Sequence, residues 1–500
     1  MEVDKLTITV GFAAVISTYW LSKTIYNLFF HPLAGFPGPR WAAGSYLPEF
    51  YYDILQGGRY YKKVIQMHKK YGPLVRVNPD ELSFNDPLFY DKVYSGGGQK
   101  RNKNPGLTTT APTSVISTND HDLHRQRRGY ITNLFSKRSI LDLESAIQSK
   151  VDKLVMHMKE AYRTGETLIG PLMFGSLAVD VISHYAYGES FGDLDKPGFP
   201  CELERDVKGV VLTAHVRRFF PAIDALMIRL PTWLIARISP SIVSYLDFEN
   251  RITKYSKEAL KKSQEGRYST KPRTLFDALI GPKVPVPEKT LQRLKDEGTL
   301  ILFAGVDTTA RFLTCTMCYL IMYPNILAKL RAELRSYPTS TCTQLEALPY
   351  LTAVINESLR YECSFTSRFP RLLVEPLAYK DRLIPSGTTI GAMPYLLNSH
   401  PEVFPDPHVF RPERWIEAKT RGEHLEKYLV TFTKGSRACL GINLAYAELY
   451  LTVAAMVQNF DLKLVDSSIE NITPDRDFGL AFDKDYNFGV NFRVTKVLRE

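Results

Sequence analysis

One cysteine, Cys439, is surrounded by the residue types that favour a thiolate. It lies in the stretch Phe432–Gly441, which reads FTKGSRACLG and contains Gly435 and Arg437. Glycine permits turn angles closed to other residues, and arginine brings a permanent positive charge. The residues after Gly441 read as the start of a helix, whose free N–H groups and partial positive charge lower a cysteine pKa. We therefore expect Cys439 to be held as an anion.

A lone thiolate narrows the choice of metal. In the sequence, no second cysteine or histidine lies near Cys439 at the spacing of a zinc site. One cysteine does suit an axial position of haem iron, because the porphyrin supplies four further ligands. The alternative is a surface loop in which the cysteine is only a small buried hydrophobe.

The stretch resembles the haem-binding signature of the cytochrome P450 superfamily at its five fixed positions. These are Phe432, Gly435, Arg437, Cys439 and Gly441. The resemblance implies that Cys439 is the iron ligand and that the other four residues belong to the binding loop for heme b (iron protoporphyrin IX). Thiolate ligation favours cleavage of the bond in dioxygen.

A second stretch, Ala304–Thr309, places polar groups inside the long apolar helical pattern Pro287–Tyr323. Gly305 costs a helix about 1 kcal/mol relative to alanine. Hydroxyl side chains can bond the carbonyl one turn back and bend the helix, so we expect a local opening here. The stretch resembles the family's acid–alcohol motif, which implies that Thr308 orients a water at the oxygen site and Asp307 links it to bulk protons. Polar residues that simply face solvent are the alternative.

Further basic residues are expected at the edge of the cofactor. The stretch His121–Ser136 resembles the family helix that crosses the haem edge, with Arg128 at the usual arginine and His124 at the usual tryptophan. Arg128 can form a charge-assisted hydrogen bond to a haem propionate, and the His124 ring is open to the same use. Arg371 is assigned to a propionate by resemblance. Two other arginines are expected on a solvated face toward a protein partner: Arg125 and Arg127.

Structural elements are also predicted around these residues. The expected fold is mainly α with a minor β region, with the haem between a long central helix and the Cys-ligand loop. Glu357 and Arg360 lie one helical turn apart and resemble, with Arg414, the family's structural triad. The segments Val75–Pro79 and Glu81–Phe84 favour a hairpin with a Pro-Asp turn.

The N-terminus predicts a membrane anchor. Leu6–Leu21 is apolar or hydroxylic without charge, at the short end of a membrane helix. We expect an uncleaved anchor in residues 1–30, a stiff proline-rich hinge in 31–42 and a catalytic domain in 31–500. By resemblance the anchor lies in the endoplasmic reticulum membrane, in contact with lipid, and the catalytic domain is cytosolic. A cleaved signal peptide is the alternative, but the start lacks a basic region and a clear cleavage site.

Composition limits the class of partner. The 500 residues carry a net charge of +10 and show no linker or repeat that would divide them. Basic residues form no stripe with interleaved stacking aromatics, so we expect no nucleic acid. An acidic protein and anionic lipid fit better, and the resemblance implies NADPH-cytochrome P450 reductase. Six cysteines without framework spacing fit the reducing cytosol, and Cys315 and Cys318 fit helix packing.

The expected function is monooxygenation of a lipophilic small molecule with O2 and with electrons from NADPH through the reductase. The wording of the motifs resembles filamentous-fungal members that make secondary metabolites. Apolar substrate-contact segments are consistent with a terpenoid or a polyketide: Leu107–Thr118, the lid Val211–Pro240, Phe365–Phe369 and Phe478–Phe482. The alternatives are a reductase-independent isomerase, dehydratase or peroxygenase, and a haem sensor without turnover. The intact Asp307–Thr308 pair argues against both.

Overall fold

The computed structural model describes residues 5–95, 99–104, 111–222, 241–267, 273–337, 340–362 and 364–499. Two of the predicted substrate-contact segments therefore lie partly outside the described residues. Only 111–118 of the first segment and 211–222 of the lid can be compared with the prediction.

The longest helix, Leu291–Met322, is named here the central helix. It begins at an N-cap in which the Thr290 side chain accepts a hydrogen bond from the backbone N–H of Arg293. It ends just before Pro324, which starts the next helix. Most of its side chains are buried, as its apolar run predicts, and its closest packing is against the helix Gly170–Tyr187.

A second buried helix, Ile442–Asn459, directly follows Cys439 and is named the cysteine helix. The predicted helix start after Gly441 is therefore confirmed. The other α-helices of the described residues are, in chain order, Lys5–Phe29, Arg40–Gly44, Leu47–Phe50, Tyr60–Tyr71, Tyr90–Tyr94, His121–Ile131, Lys137–Asp142, Glu144–Thr164, Gly170–Tyr187, Glu202–Leu212, Ala214–Phe219, Ser241–Gln264, Leu275–Ile280, Pro324–Leu334, Cys342–Glu346, Pro349–Tyr361, Pro394–Asn398 and Glu413–Thr420.

Strands form a smaller part of the molecule, as expected. The largest sheet has five strands in the order Leu74–Asn78, Glu81–Phe84, Thr389–Gly391, Arg371–Leu373 and Arg101–Lys103. Its first two strands pair antiparallel, which confirms the predicted hairpin. The smaller sheets are listed by their strands: Leu168–Ile169 with Asn491–Val497 and Phe460–Val465; Leu377–Tyr379 with Arg382–Ile384; and Arg476–Asp477 with Ala481–Phe482. The fold is mainly α with a minor β part.

The N-terminal helix Lys5–Phe29 projects apolar side chains into solvent, including Phe12, Val15 and Trp20. Among the described residues, the central helix is long and apolar enough to cross a membrane, but 72% of its most apolar stretch is buried inside the protein. The central helix is therefore a core helix. Residues 31–39 form successive turns followed by the helix Arg40–Gly44, whereas an extended hinge was expected. The turns pack closely because Leu33 is buried and the Arg76 N–H donates to the Pro37 carbonyl.

Candidate cofactor site

The loop Phe432–Gly441 is fastened at both of its sides. The Cys439 N–H donates to the Phe432 carbonyl at 2.9 Å, which closes the loop. Gly435 has φ +75°, and a Cβ built there would lie 2.1 Å from the Tyr94 carbonyl oxygen. Only glycine suits that position, because a side chain would meet backbone as well as an unfavourable φ. The Phe432 ring packs on Tyr446 of the cysteine helix with centroids 5.4 Å apart.

The Cys439 thiol differs from the expectation in one respect. Its side chain has accessible surface, yet it lies deep within the surrounding protein, and this burial raises the pKa of the thiol. The Gly441 N–H and the Arg128 charge lower that pKa but do not outweigh the burial. The expectation that the protein alone lowers the Cys439 pKa is therefore wrong, because desolvation dominates. Ionisation of this cysteine would accompany metal binding, since only the thiolate is a good ligand.

The cation beside Cys439 is Arg128, whereas the sequence predicted Arg437. Arg128 donates to the Ala438 carbonyl at 2.7 Å, next to the cysteine. Arg437 points to the other side and donates to the carbonyls of Thr118 at 2.8 Å and Asn119 at 2.7 Å. Arg437 therefore fastens the loop to the segment before His121, and Arg128 supplies the positive charge at the thiol.

A lysine that sequence reasoning missed lies beside the predicted arginine. In the five-stranded sheet, Lys103 is paired directly opposite Arg371. Side chains of opposed residues lie on the same face, and like charges there are destabilising. The lysine carries no motif of its own, and its pairing with Arg371 arises from sheet register, which the sequence does not show. Two cations forced together in this way indicate a site for an anion.

The cation cluster consists of Lys103, Arg128, Arg371 and Arg437, with His124 among them. Their hydrogen-bond partners are the backbone carbonyls of Ile116, Ala438, Pro370, Thr118, Asn119 and Asp120, and none forms a salt bridge within the described residues. Burial and its cationic neighbours lower the pKa of Lys103 to about 7 and that of Arg437 to about 10.

His124 is buried, and its ring Nδ1 has no hydrogen-bond partner among the described residues. Burial and the surrounding cations lower the pKa of His124 to about 3, so the ring is neutral at physiological pH. A neutral imidazole with a free nitrogen can donate one hydrogen bond to an anion. A cavity of about 200 Å³ borders this region and is lined by Tyr94, Ser95, Gln99, Arg101, His121, Arg125, Arg371, Ser436 and Arg437. The donor set fits a ligand with two carboxylates beside a thiolate-bound metal, as a haem has.

The acid–alcohol stretch produces the expected break in burial. The Thr308 hydroxyl donates to the Ala304 carbonyl at 2.8 Å, one turn back. Ala304 is exposed and Thr308 half-buried, although most of the central helix around them is buried. Gly305 contributes on another face, where a Cβ would lie 3.1 Å from Ile182 of the neighbouring helix. The helix remains continuous through this stretch.

Asp307 lies in a buried ion pair. Its carboxylate accepts from the Arg311 Nε at 2.7 Å, one turn along the same helix, with both side chains at most 5% exposed. Arg311 also donates to the Ala481 carbonyl at 2.6 Å and lies over the Phe482 and Phe488 rings. The sequence motif does not include Arg311, so the pairing was not foreseen. The Asp307 carboxyl therefore accepts its hydrogen bond from a buried cation on the same helix.

The next hydroxyl on the helix, Thr309, joins the central helix to the cysteine helix. It donates to the Glu448 carboxyl at 3.1 Å. Full burial raises the pKa of Glu448 to about 8, so this acid is protonated at neutral pH. The two helices that carry Thr308 and follow Cys439 are thus fixed relative to one another.

The structural triad assembles as expected. Glu357 accepts two hydrogen bonds from Arg360, at 2.8 and 2.9 Å, and one from Arg414 at 3.2 Å. The Trp415 indole N–H also donates to it at 2.9 Å. The prediction for Arg127 was wrong: it forms a two-fold ion pair with Glu288 and is mostly buried, while Arg125 is exposed.

The predicted substrate-contact segments border charged groups as well as apolar ones. Ser367 donates to Asp477 at 2.7 Å, and Arg368 forms ion pairs with Glu49 and Glu81. A cavity of about 150 Å³ lies here, between the described part of the lid and these segments. It is lined by Asp53, Tyr60, Tyr61, Glu81, Asn104, Ala214, His215, Arg218, Ser367, Arg368, Pro370, Asp477, Phe478 and Gly479. The segments themselves predicted few fixed charges, because their charged partners come from distant parts of the chain.

Comparison with known proteins agrees with this arrangement. The sequence model of the cytochrome P450 family matches residues 38–486. The cytochrome P450 monooxygenase TRI4 of Trichoderma arundinaceum is 39% identical over 480 residues, which cover 94% of this chain and 92% of TRI4. The conidiogenone synthase PchP450 of Penicillium rubens is 38% identical over 475 residues, 95% of this chain and 96% of its own. The cytochrome P450 monooxygenase astB of Aspergillus terreus is 38% identical over 495 residues, 95% and 94% of the two chains. The expected resemblance to fungal proteins is confirmed over nearly the full length.

Proposed function

The chain belongs to the cytochrome P450 family, and from this premise we propose that it inserts one oxygen atom from O2 into a lipophilic small molecule. Its relatives are monooxygenases, and this chain is a monooxygenase of the same family. The observation that carries the proposal is the placement of Cys439 beside a cation cluster that forms no salt bridge with any acid in the described part of the chain. An iron porphyrin with propionate groups would provide a metal for Cys439 and carboxylates for the cation cluster.

We assign the cofactor as heme b. Cys439 would ligate its iron, and Lys103, His124, Arg128, Arg371 and Arg437 would hold its carboxylates. Thiolate-ligated haem supplies the activation of O2 when it is bound. The chain itself contributes a fixed thiol and a set of charge-assisted donors.

Proton handling falls to the central helix. The Thr308 hydroxyl lies one turn from the exposed Ala304 on that continuous helix and can orient a water toward the oxygen site. Asp307 is one residue away and buried, which suits an acid that feeds protons to that water from the protein interior. General acid–base contributions of this kind are worth roughly a hundred- to ten-thousand-fold in rate.

We further propose that electrons come from NADPH through a reductase, that the substrate is a terpenoid or polyketide, and that the N-terminal helix anchors the chain in the endoplasmic reticulum membrane. The basic net charge of +10 suits an acidic electron donor and anionic lipid. Exposed aromatic and aliphatic side chains on Lys5–Phe29 support the anchor. Apolar residues in Phe365–Phe369 and Phe478–Phe482 support a mostly apolar substrate whose edge meets the polar cavity.

The test is to reconstitute the full chain with haem, NADPH and a fungal P450 reductase in vesicles. Candidate terpenoids and polyketides are screened by the shift of the haem absorption band, and those that bind are incubated for turnover. Product that carries one atom of labelled O2, in amounts dependent on reductase, supports the proposal. Turnover without reductase or O2 would favour an isomerase, dehydratase or peroxygenase, and haem binding without any turnover would favour a sensor.

A further inference from the structure

A buried acid, Glu362, lies beside the Asp307–Arg311 ion pair, where no motif predicted a functional residue. It follows the helix Pro349–Tyr361 and is 4% exposed. The hydroxyl and the backbone N–H of Ser364 donate to its carboxyl, while its Oε2 has no partner among the described residues. A buried carboxyl oxygen without a donor is costly as a charge and much less so as part of a protonated acid.

Glu362 is connected to the ion pair through the strand Ala481–Phe482. The Ala481 N–H donates to the Ser364 carbonyl at 2.8 Å, and the Ala481 carbonyl accepts from Arg311 at 2.6 Å. Arg311 in turn donates to Asp307. Glu362 also lies within electrostatic range of both Arg311 and Asp307. Glu362 is therefore joined to the buried Asp307–Arg311 pair through the backbone of Ala481 and lies in the electrostatic field of that pair.

Charge balance fixes the protonation of this cluster. One guanidinium can neutralise one carboxylate, and Asp307 already accepts its hydrogen bond. The second acid is then favoured in its neutral form, as in other pairs of acids that share a site. In agreement, burial raises the pKa of Glu362 to about 7.

We propose that Glu362 is a positioning residue that stores the proton which Asp307 hands to the Thr308 relay. This role rests on the proposed monooxygenase function. In the step, the O–H bond of the Glu362 carboxyl breaks, Asp307 gains the proton and passes it to the relay water, and Glu362 is left as a carboxylate until a proton from bulk water replaces the one it lost.

The proton is replaced from bulk water. Glu204, on the helix Glu202–Leu212, is half-buried and lies within electrostatic range of Asp307 and Arg311, so it can exchange protons with solvent near the cluster. Burial and Asp307 raise the pKa of Glu204. The remaining titratable group that faces Asp307 is the Cys201 thiol, whose pKa burial raises well above its usual value, so it stays neutral.

Glu362→Gln tests the store without disturbing packing, because glutamine has the shape of the protonated acid and cannot exchange a proton. The probe substrate is 7-ethoxycoumarin with haem-loaded full chain, reductase and NADPH. We expect haem content and melting temperature close to wild type, and a product-to-peroxide ratio lowered roughly tenfold, less than the loss of a direct acid. Glu362→Asp should restore part of the ratio, and adding Asp307→Asn to Glu362→Gln should lower it no further than Asp307→Asn alone.

The pH profile separates a proton store from a structural role. The store is filled below the Glu362 pKa of about 7, so the wild-type ratio should fall as pH rises through that value. Glu362→Gln should remove this limb. Asp206→Asn is the matched control, since burial also raises the pKa of Asp206 to about 7 but Glu202 and Arg205 are its charged neighbours. Its profile should match wild type.

An infrared titration provides a readout without turnover. The infrared spectrum of wild-type haem-loaded protein minus that of Glu362→Gln should contain one protonated-carboxyl carbonyl band that disappears near pH 7, because the bands of Asp206 and Glu448 are present in both proteins and cancel. If Glu362→Gln keeps the wild-type band and titration, the inference is wrong whether or not the enzyme turns over. If the band behaves as expected but reductase and NADPH support no oxidation, the proposed function fails and the proton store remains. Additive effects of Glu362→Gln and Asp307→Asn would also overturn the inference.

Discussion

In the protein without cofactor, an ionised Cys439 and the neighbouring cations are both electrostatically unfavourable. A single bound haem would stabilise both. Burial opposes ionisation of the thiol, and like charges oppose one another in the cation cluster. A haem corrects both, because its iron stabilises the thiolate and its carboxylates neutralise cations. Cys439 and Arg371 were predicted from motifs, whereas Lys103 was not, and the reason lies in how far along the chain each residue's environment extends. A motif is local in sequence, whereas the electrostatic problem at Lys103 is created by its strand partner.

Replacing the ligand should remove the signature of thiolate ligation. In Cys439→Ala, we expect reduced protein with carbon monoxide to lose the strongly red-shifted Soret band of thiolate-bound haem. Cys315→Ala is the control, because Cys315 is buried in the central helix and should leave the band unchanged. A normal band in Cys439→Ala would assign the ligand to another residue.

Replacing Thr308 should separate oxygen activation from haem binding. Thr308→Ala leaves Cys439 and the cation cluster intact, so haem content should stay near wild type while product per NADPH falls and peroxide rises. The effect on the product-to-peroxide ratio is expected to be roughly a hundredfold. Thr316→Ala removes the same kind of hydroxyl-to-carbonyl bond, from Thr316 to Phe312 at 2.7 Å, deeper in the same helix. An equal ratio in Thr308→Ala and Thr316→Ala would refute the relay role.

Replacing Lys103 should have opposite effects in the two forms of the protein: it should stabilise the haem-free form and weaken haem binding in the loaded form. In haem-free protein, Lys103→Met removes a charge from a crowded cluster and should raise the melting temperature. In loaded protein, it removes a charge-assisted hydrogen bond worth about 1.5–3 kcal/mol, so haem should transfer faster to excess apomyoglobin. Lys100→Met is the control, because Lys100 is exposed and pairs with Asp122. Equal transfer rates in the two variants would place Lys103 outside the cofactor site.

At the scale of elements, apolar periodicity predicted the central helix and the helix after Cys439 well, since both are long and buried. Apolar periodicity did not predict the ion-pair partners of the charged side chains on the helices. Arg127 reads as a surface cation on a basic helix, yet Glu288 lies opposite it in the fold and pairs with it. Asp307 pairs with Arg311 four residues along the same helix, a spacing that the sequence does show, but the strand that holds Arg311 comes from near the C-terminus. Contacts between distant elements, such as Arg127 with Glu288 and Arg311 with Ala481, cannot be read from a single sequence.

The two glycines of the cysteine loop should differ in a way that the motif does not show. Gly435→Ala places a methyl group 2.1 Å from the Tyr94 carbonyl at φ +75°, and we expect haem-free protein to lose about 2–4 kcal/mol of unfolding free energy. A Cβ at Gly441 meets no protein atom within 4 Å, so Gly441→Ala should be nearly neutral in haem-free protein. Urea titration of both variants measures this. Haem content lowered in Gly441→Ala alone would then assign that glycine to the cofactor.

At the scale of the whole molecule, family resemblance predicted the fold class, and the end of the N-terminal helix shows where such a prediction stops. Residues 1–30 read as an independent anchor. In the structure, Asn27 is buried and its side chain donates to the Gly44 carbonyl at 2.9 Å. The Asn27 carbonyl accepts from Arg76, a fully buried cation, at 2.9 Å. The last turns of the helix are therefore part of the catalytic domain.

Two truncations of the N-terminus should consequently behave differently. Deleting residues 1–22 removes the exposed apolar side chains around Phe12, Val15 and Trp20 and keeps Asn27, so protein should leave the microsomal fraction with its haem content and melting temperature intact. Deleting residues 1–29 also removes the carbonyl that Arg76 binds, and a buried cation that loses a hydrogen bond costs about 1–3 kcal/mol. The longer truncation should therefore be released equally but melt at a lower temperature. Sedimentation with carbonate-washed microsomes and thermal unfolding of both truncations measure the two effects. If the 1–22 truncation stays with membranes as fully as the intact chain, the anchor lies elsewhere. If both truncations melt alike, the Asn27 contacts do not stabilise the domain.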